Sequence, residues 1–173
     1  MQNRDNAGGL SLIHICGEYE KVFSRTVKGS DVWRINHGEG CPVQVCGDTA
    51  ELLTIALEVC EKSGGALDIT IAPASDLWDF KSEQPKIPDR DQLERAAKLV
   101  DYTKLKLEGD VVTMPAGMAI DLGAVAKGYI ADKAAEYLKE QGVTRAILNL
   151  GGNVVALGSK PDGREWSDRK SVV

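Results

Sequence analysis

Aromatic and imidazole side chains are scarce in this chain: Phe, Trp and Tyr together make up 5% of its 173 residues, and histidine occurs only at His14 and His37. Two imidazoles leave little material for a Ser/His/Asp triad or a histidine-rich metal centre, so any metal held here would be a hard ion with oxygen ligands. None of the four cysteines, Cys16, Cys41, Cys46 and Cys60, stands in a CxxC pair, which argues against zinc and reads as ordinary half-buried thiols. Apolar runs of membrane-spanning length are absent, and the first residues lack the basic-then-apolar order of a secretory signal. Clustered positive charge is missing too. The net charge is -5 and the Lys and Arg residues are scattered, which excludes a surface built to displace counterions from nucleic acid.

What is present suffices for a core. A hydrophobic content of 43% over this length fits one globular domain. Asp48 followed by Glu51 resembles a capping box, and Leu52, Ala56, Val59 and Cys60 then recur at helical spacing until Gly64-Gly65, which predicts an amphipathic helix. Residues 66–73 are rich in branched side chains and predict a strand that Pro73 ends, followed by a turn carrying Trp78 and Phe80. Leu93, Ala96, Ala97 and Val100 predict a second helix over 89–100, entered after Pro88 with acidic residues in its first turn. A hairpin is expected with arms 104–107 and 111–114 around Gly109-Asp110, and a short strand over 118–121. A third helix begins at or near Asp121, sets Ala126, Ile130, Ala134 and Leu138 on one face, and stops at Gly142. Apolar segments 146–150 and 154–157 flank Gly151-Gly152 as a second hairpin. Helices mixed with hairpins, without regular βαβ alternation, give an α+β class.

One segment has the makings of an anion site. Asp121-Leu122-Gly123-Ala124-Val125-Ala126-Lys127-Gly128-Tyr129 joins a predicted strand to the strongest helix, where free backbone N–H groups, close approach at glycine and the Lys127 charge suit a phosphate. A P-loop is excluded: Lys127 precedes the second glycine, and Tyr129 stands where a magnesium-binding Ser or Thr is needed. On spacing alone, a glycine-containing helix start that packs tightly against a sheet accounts for the segment at least as readily. Asp68, just after Gly64-Gly65, reads equally as a turn or capping residue and as a ligand to a ribose or base.

Several motifs in register carry a family resemblance. Residues 121–129, together with Ser63-Gly64-Gly65-Ala66-Leu67-Asp68-Ile69-Thr70-Ile71-Ala72-Pro73 and Leu77-Trp78, resemble the ApbE family of FAD:protein FMN transferases. Leu148-Asn149-Leu150-Gly151-Gly152-Asn153 and Gly158-Ser159-Lys160-Pro161-Asp162-Gly163 continue the pattern in order, and Phe23-Ser24, Ser30 and Arg34-Ile35-Asn36 precede it. The resemblance spans about residues 16–166. It implies a T-fold-like mixed sheet with packed helices, FAD as donor, Mg2+ as the ion, and a Thr or Ser hydroxyl of a partner protein as acceptor, with AMP released. Carried over by position, Ala66, Leu67 and Asp68 would contact the flavin nucleotide, Asp121 and Lys127 would flank it, and Ala124 would offer its carbonyl to the metal. Thr26 departs from the pattern, because many members carry a tyrosine there. The resemblance also implies a cell-envelope setting outside the cytoplasm, often with a redox-pump subunit as acceptor, and membrane association only through an N-terminal segment not found in this chain.

The family pattern continues beyond Trp166 into Thr-Ser-Gly and His-Ile-x-Asp-Pro segments and the side chains that complete the metal site, none of which occurs here. The domain is therefore expected to be partial, covering 16–167, incomplete on its C-terminal side and inactive by itself. Asp168-Arg169-Lys170-Ser171-Val172-Val173 is one translation of the sequencing-adapter stretch GATCGGAAGAGCGTCGTG, and Ser11-Leu12-Ile13-His14-Ile15 is one of TCTCTTATACACATC. Residues 1–15 and 168–173 are accordingly expected to be non-native ends, to be set aside in reasoning about the fold. Two other readings stay open beside transfer: a flavin-nucleotide-binding module without activity, and a purely structural α+β domain in which Asp68 and Asp121 are caps.

Overall fold

The computed structural model describes residues 12–78 and 87–167. The chain divides into two compact units, one formed by Gly17–Ala126 and the other by Lys127–Val173 with Met1–Cys16. Asp79, Phe80 and the segment 168–173 lie outside the described residues.

Helix α1 (Leu12–Phe23) leads into the first unit. Six-residue α2 (Asp31–Asn36) starts where the Ser30 hydroxyl accepts the Trp33 N–H at 3.0 Å, one of the unpaired donors every helix start presents. Helix α3 (Gly47–Lys62) is the first of the helices expected from spacing, but Asp48 does not cap it. The N-cap is Cys46, which makes no side-chain cap bond. A carboxylate from elsewhere does that work: Asp31 Oδ2 accepts the Cys46 N–H at 2.8 Å and the Thr49 hydroxyl at 2.7 Å. Asp31 thus adds negative charge at the positive end of α3 from α2, beside Asp48 in the helix's own first turn. Leu52, Leu53, Ala56 and Cys60 form its buried stripe.

The strand expected over 66–73 is not formed. After α3 stops, Gly64 (φ 63°) and Gly65 (φ 81°) turn the chain, the Gly65 N–H bonding back to the Cys60 carbonyl at 2.9 Å. Residues 69–70 form a turn, and Ala72–Ser75 make the short helix α4. Pro73 does not end a strand; it sits at the start of α4, where its fixed φ and missing N–H cost nothing. Only Ile71 pairs in strand fashion, through one parallel bridge to Ala119, and that bridge is all that forms of the strand expected over 118–121.

Helix α5 (Arg90–Ala97) is capped by Asp89, whose carboxylate accepts the N–H groups of Asp91 and Gln92. The first hairpin stands where expected, with β2 (Lys106–Glu108) paired to β3 (Val111–Thr113) and Gly109 at φ 63° in the turn. A strand not foreseen, β1 (Val43–Gln44), adds to the other edge of β3 through Val43↔Val112 and Gln44↔Val111. Two residues are too few for an alternating pattern to be read. Val112 in the central strand is buried, as are Leu105, Met114, Met118, Ile120 and Leu122 on either side of the sheet in sequence.

Helix α6 (Ala126–Glu140), which carries the chain into the second unit, begins five residues later than Asp121, because residues 123–125 form a turn. Its buried positions are Tyr129, Ala131, Ala134 and Ala135; of the face expected, Ala134 is buried and Ala126, Ile130 and Leu138 are half-buried, Leu138 against the sheet. Gly142 (φ 79°) ends it. The second hairpin is formed as expected, β4 (Ala146–Leu150) with β5 (Asn153–Leu157) in register from Ala146↔Leu157 to Leu150↔Asn153. Leu148 and Leu157 pack with Ala134 and Ala135 of α6, giving a helix-on-hairpin core. Helices packed with small antiparallel sheets make the α+β class plain.

Candidate functional site

Two loops of the first unit run side by side and carry most of the residues singled out by sequence. The Asp121 N–H donates to the Ile69 carbonyl at 2.7 Å, and Ile71 bridges Ala119, so segment 68–71 and segment 119–121 are joined directly. Ala66, Leu67 and Asp68 line a cleft of about 540 Å3, together with Gly65, Ile71, Ala74, Ala97 and Val100. The Ser63 hydroxyl fixes this wall by accepting the Leu67 N–H at 3.1 Å while donating to the Cys60 carbonyl.

Asp68 is occupied by the fold. Its Oδ1 accepts the N–H and the hydroxyl of Thr70 at 2.8 and 2.6 Å, and its Oδ2 accepts the Tyr102 N–H at 3.0 Å. Thr70 in turn accepts the Asp101 N–H at 2.8 Å. One carboxylate thereby closes its own turn and ties it to the 3-10 turn Tyr102–Lys104, which is the turn-residue reading left open by the sequence.

Asp121 is held at both carboxylate oxygens. Oδ1 accepts the Gly123 N–H at 2.7 Å, closing the tight turn that leads to α6, and Oδ2 accepts Arg25 Nη1 at 2.6 Å. A Cβ at Gly123 would stand 3.0 Å from Asp121 Oδ1, so glycine at this point admits the carboxylate. The other guanidinium nitrogen, Nη2, pairs with Asp76 at the end of α4. Burial works against the Arg25 charge, but its bonds to Asp76 and Asp121 outweigh that and raise its pKa above the ordinary arginine value. Ala124, proposed by position as a carbonyl ligand, lies exposed in this same turn.

Behind the loop stands Asn36, the last residue of the Arg34-Ile35-Asn36 motif. Its amide accepts the Ile120 N–H at 2.7 Å and donates to the Ile120 carbonyl at 3.0 Å, so the residue before Asp121 is gripped at both backbone groups. The Ser30 hydroxyl donates to the Ser24 carbonyl, which fixes the strand of chain entering Arg25. Arg25, Asp76 and Asn36's role as a clamp were not legible in sequence. The one available signal was that Phe23-Ser24, Ser30 and Arg34-Ile35-Asn36 recurred as motifs without any chemistry of their own.

Lys127 belongs to the second unit, exposed in the first turn of α6. Its carbonyl accepts Asn153 Nδ2 at 3.2 Å, and Asn149 caps the intervening glycine turn by accepting the Gly152 N–H at 3.0 Å. The Leu148–Asn153 motif therefore steadies the start of α6 from across the hairpin turn.

Among the described residues, no group of three or more His, Cys, Asp or Glu side chains is placed to hold a metal ion. No described helix is long and apolar enough to cross a membrane.

These features define an α+β protein whose two aspartate-anchored loops meet beside an apolar cleft, with a glycine turn feeding the helix of a second unit. The sequence profile of the ApbE family matches residues 11–167, and the chain belongs to that family. It is 32% identical over 179 residues to an FAD:protein FMN transferase of Klebsiella pneumoniae (strain 342), aligning over 100% of this chain and 57% of the relative. A Treponema pallidum (strain Nichols) protein of the same name is 36% identical over 152 residues, covering 83% of this chain and 42% of the relative. Among solved structures, the apo flavinyl transferase ApbE of Pseudomonas stutzeri superposes with a TM-score of 0.82 at 28% identity, covering 90% of this chain and 50% of that one. The chain thus spans about half the length of the relatives it matches.

Proposed function

We propose that this chain forms the flavin-nucleotide side of an enzyme that moves FMN from FAD to a Thr or Ser hydroxyl of a target protein. The observation that carries the reading is the Asp121 N–H to Ile69 carbonyl bond, which makes one site of two motifs that lie far apart in sequence. In the reaction, the acceptor oxygen forms a bond to the FMN phosphorus, the phosphoanhydride bond to AMP breaks, and AMP leaves with the electron pair while the hydroxyl proton is lost. Transfer of this type depends chiefly on positioning and on neutralising phosphate charge.

The roles of the residues follow from where they stand. Ala66 and Leu67 would face the nucleotide with backbone and apolar surface. Asp68, its oxygens already engaged, would act by holding that wall rather than by gripping ligand. Asp121 would set the turn that exposes the Ala124 carbonyl; Lys127, carried over by position alone, stands in the second unit at the start of α6.

Mg2+ belongs to this reading as the ion expected from the family, yet the described residues do not make a magnesium site by themselves. Ala124 supplies one carbonyl, and no carboxylate cluster accompanies it. No step is therefore assigned to the metal. The acceptor would be a protein at the cell envelope, in keeping with the family resemblance.

The lack of such a cluster among the described residues favours a second reading, a flavin-nucleotide-binding module without transfer. An assay with FAD, Mg2+ and an acceptor protein, read as covalent flavin fluorescence on the acceptor, separates the two. Transfer supports the enzyme reading, and saturable FAD binding without transfer supports the module. A folded chain that binds no FAD would sink both.

A further inference from the structure

Arg25 bridges two carboxylates from separate segments, Asp76 and Asp121. Its side chain is 25% exposed, and that of Asp121 is 32% exposed, so the pair is neither deeply buried nor loosely solvated. Arginine suits the task because two of its nitrogens can serve two acceptors at fixed separation, which a single ammonium cannot reproduce. Asp121 Oδ2 takes Arg25 while Oδ1 takes the Gly123 N–H, so the guanidinium sets the plane of a carboxylate that in turn closes the 121–123 turn. Asp76 holds the same guanidinium from the end of α4, the helix that follows Ile71 at the cleft wall.

We propose that Arg25 is a positioning residue: it locks Asp121, and with it the turn bearing Ala124, to α4 beside the cleft, and so preorganises this side of the site for ligand. The consequence for ligand rests on the flavin-nucleotide reading; the consequence for the turn does not. Without Arg25, Asp76 and Asp121 would be left as two carboxylates without the cation between them, and the Asp121 plane would be free to turn away from Gly123.

The test uses the full chain and the variants Arg25→Ala, Arg25→Lys and Asp76→Asn. Amide hydrogen exchange reports the Gly123 N–H, with the Leu53 and Ala56 amides of α3 as internal references. Protection at Gly123 should fall roughly tenfold in Arg25→Ala, the scale of one hydrogen bond to a charged group, while the α3 amides keep theirs. Arg25→Lys should recover part of it, and Asp76→Asn should lose less than Arg25→Ala. FAD titration by flavin fluorescence, at a temperature where every variant is folded, should show about tenfold weaker binding in Arg25→Ala, with part regained in Arg25→Lys.

Unchanged protection at Gly123 in Arg25→Ala overturns the proposal, as does a loss shared equally by the α3 amides, which would mean general destabilisation. Unchanged FAD affinity in a chain that does bind FAD also overturns it. If the unaltered chain binds no FAD, the flavin reading fails, and the exchange experiment alone decides whether Arg25 positions the turn.

Discussion

Asn36 and Ile120, 84 residues apart, are joined by two hydrogen bonds through a single side-chain amide, one to the Ile120 N–H and one to its carbonyl. The amide imitates the edge of a strand at a place where no strand forms. Ile120 is fully buried, so neither backbone group has water as an alternative partner. Replacing Asn36 with alanine should cost about 2–4 kcal/mol, since two buried polar groups lose their partners together. Urea unfolding of the two proteins checks this; a change below about 0.5 kcal/mol would mean that solvent or a neighbour takes over the amide's bonds.

Asp68 makes a comparable prediction with a different signature. Asp68→Ala removes the acceptor for Thr70 and for the Tyr102 N–H and should destabilise the chain by about 2–3 kcal/mol, whereas Asp68→Asn keeps one carbonyl oxygen and should cost less. If Asp68 serves ligand only through the loop, FAD affinity should fall in step with stability across the two variants. An Asp68→Asn protein of near-normal stability that had lost FAD binding would show instead that the carboxylate grips the ligand.

The Asp31 carboxylate governs part of the acid limb. Burial raises its pKa, but the Cys46 N–H, the Thr49 hydroxyl and Arg34 together outweigh burial, so the folded value lies below the ordinary aspartate value. A depressed folded pKa contributes stability that is present above the unfolded value, near 4, and is lost as pH falls through the folded one. Asp31→Asn should therefore be less stable than the unaltered chain at pH 7, and the difference should shrink below about pH 4. Melting midpoints from pH 7 down to 2.5 read this directly, and a difference independent of pH would refute it.

Gly158 tests the second unit. It stands at φ 58°, and a Cβ there would lie 2.3 Å from the Thr144 carbonyl oxygen, a backbone atom that cannot swing aside. Gly158→Ala should cost about 3 kcal/mol, combining the left-handed backbone penalty with overpacking. Gly128→Ala, in the first turns of α6 with nothing within 4 Å of its Cβ, is the control and should be neutral or slightly stabilising. Thermal unfolding followed by circular dichroism compares them.

How legible each part was in the sequence follows the range of the interaction behind it. The β2–β3 and β4–β5 hairpins and the glycine stops after α3 and α6 were readable because each depends on residues within a turn of one another. The strand expected over 66–73 failed for an equally local reason that composition masks. Asp68 bonds Thr70, and Pro73 suits the first turn of α4, so branched residues that favour a strand are bent into a turn and a helix. Asp48 was not the N-cap of α3: the cap is Cys46, whose N–H is taken by Asp31 from another helix.

By itself, then, the sequence determined the α+β class, the two hairpins, the presence of α3, α5 and α6 and, through motifs in register, the family. Tertiary structure alone decided what holds the marked residues in place. Asp68 turned out to be a turn anchor, Asp121 a carboxylate held by Gly123 and Arg25, and Asn36 a clamp on Ile120. Arg25 and Asp121 are 96 residues apart, and no local periodicity encodes a pairing at that distance. Such bonds exist only once the intervening helices and sheet have brought two loops together, and their geometry is a property of the folded chain.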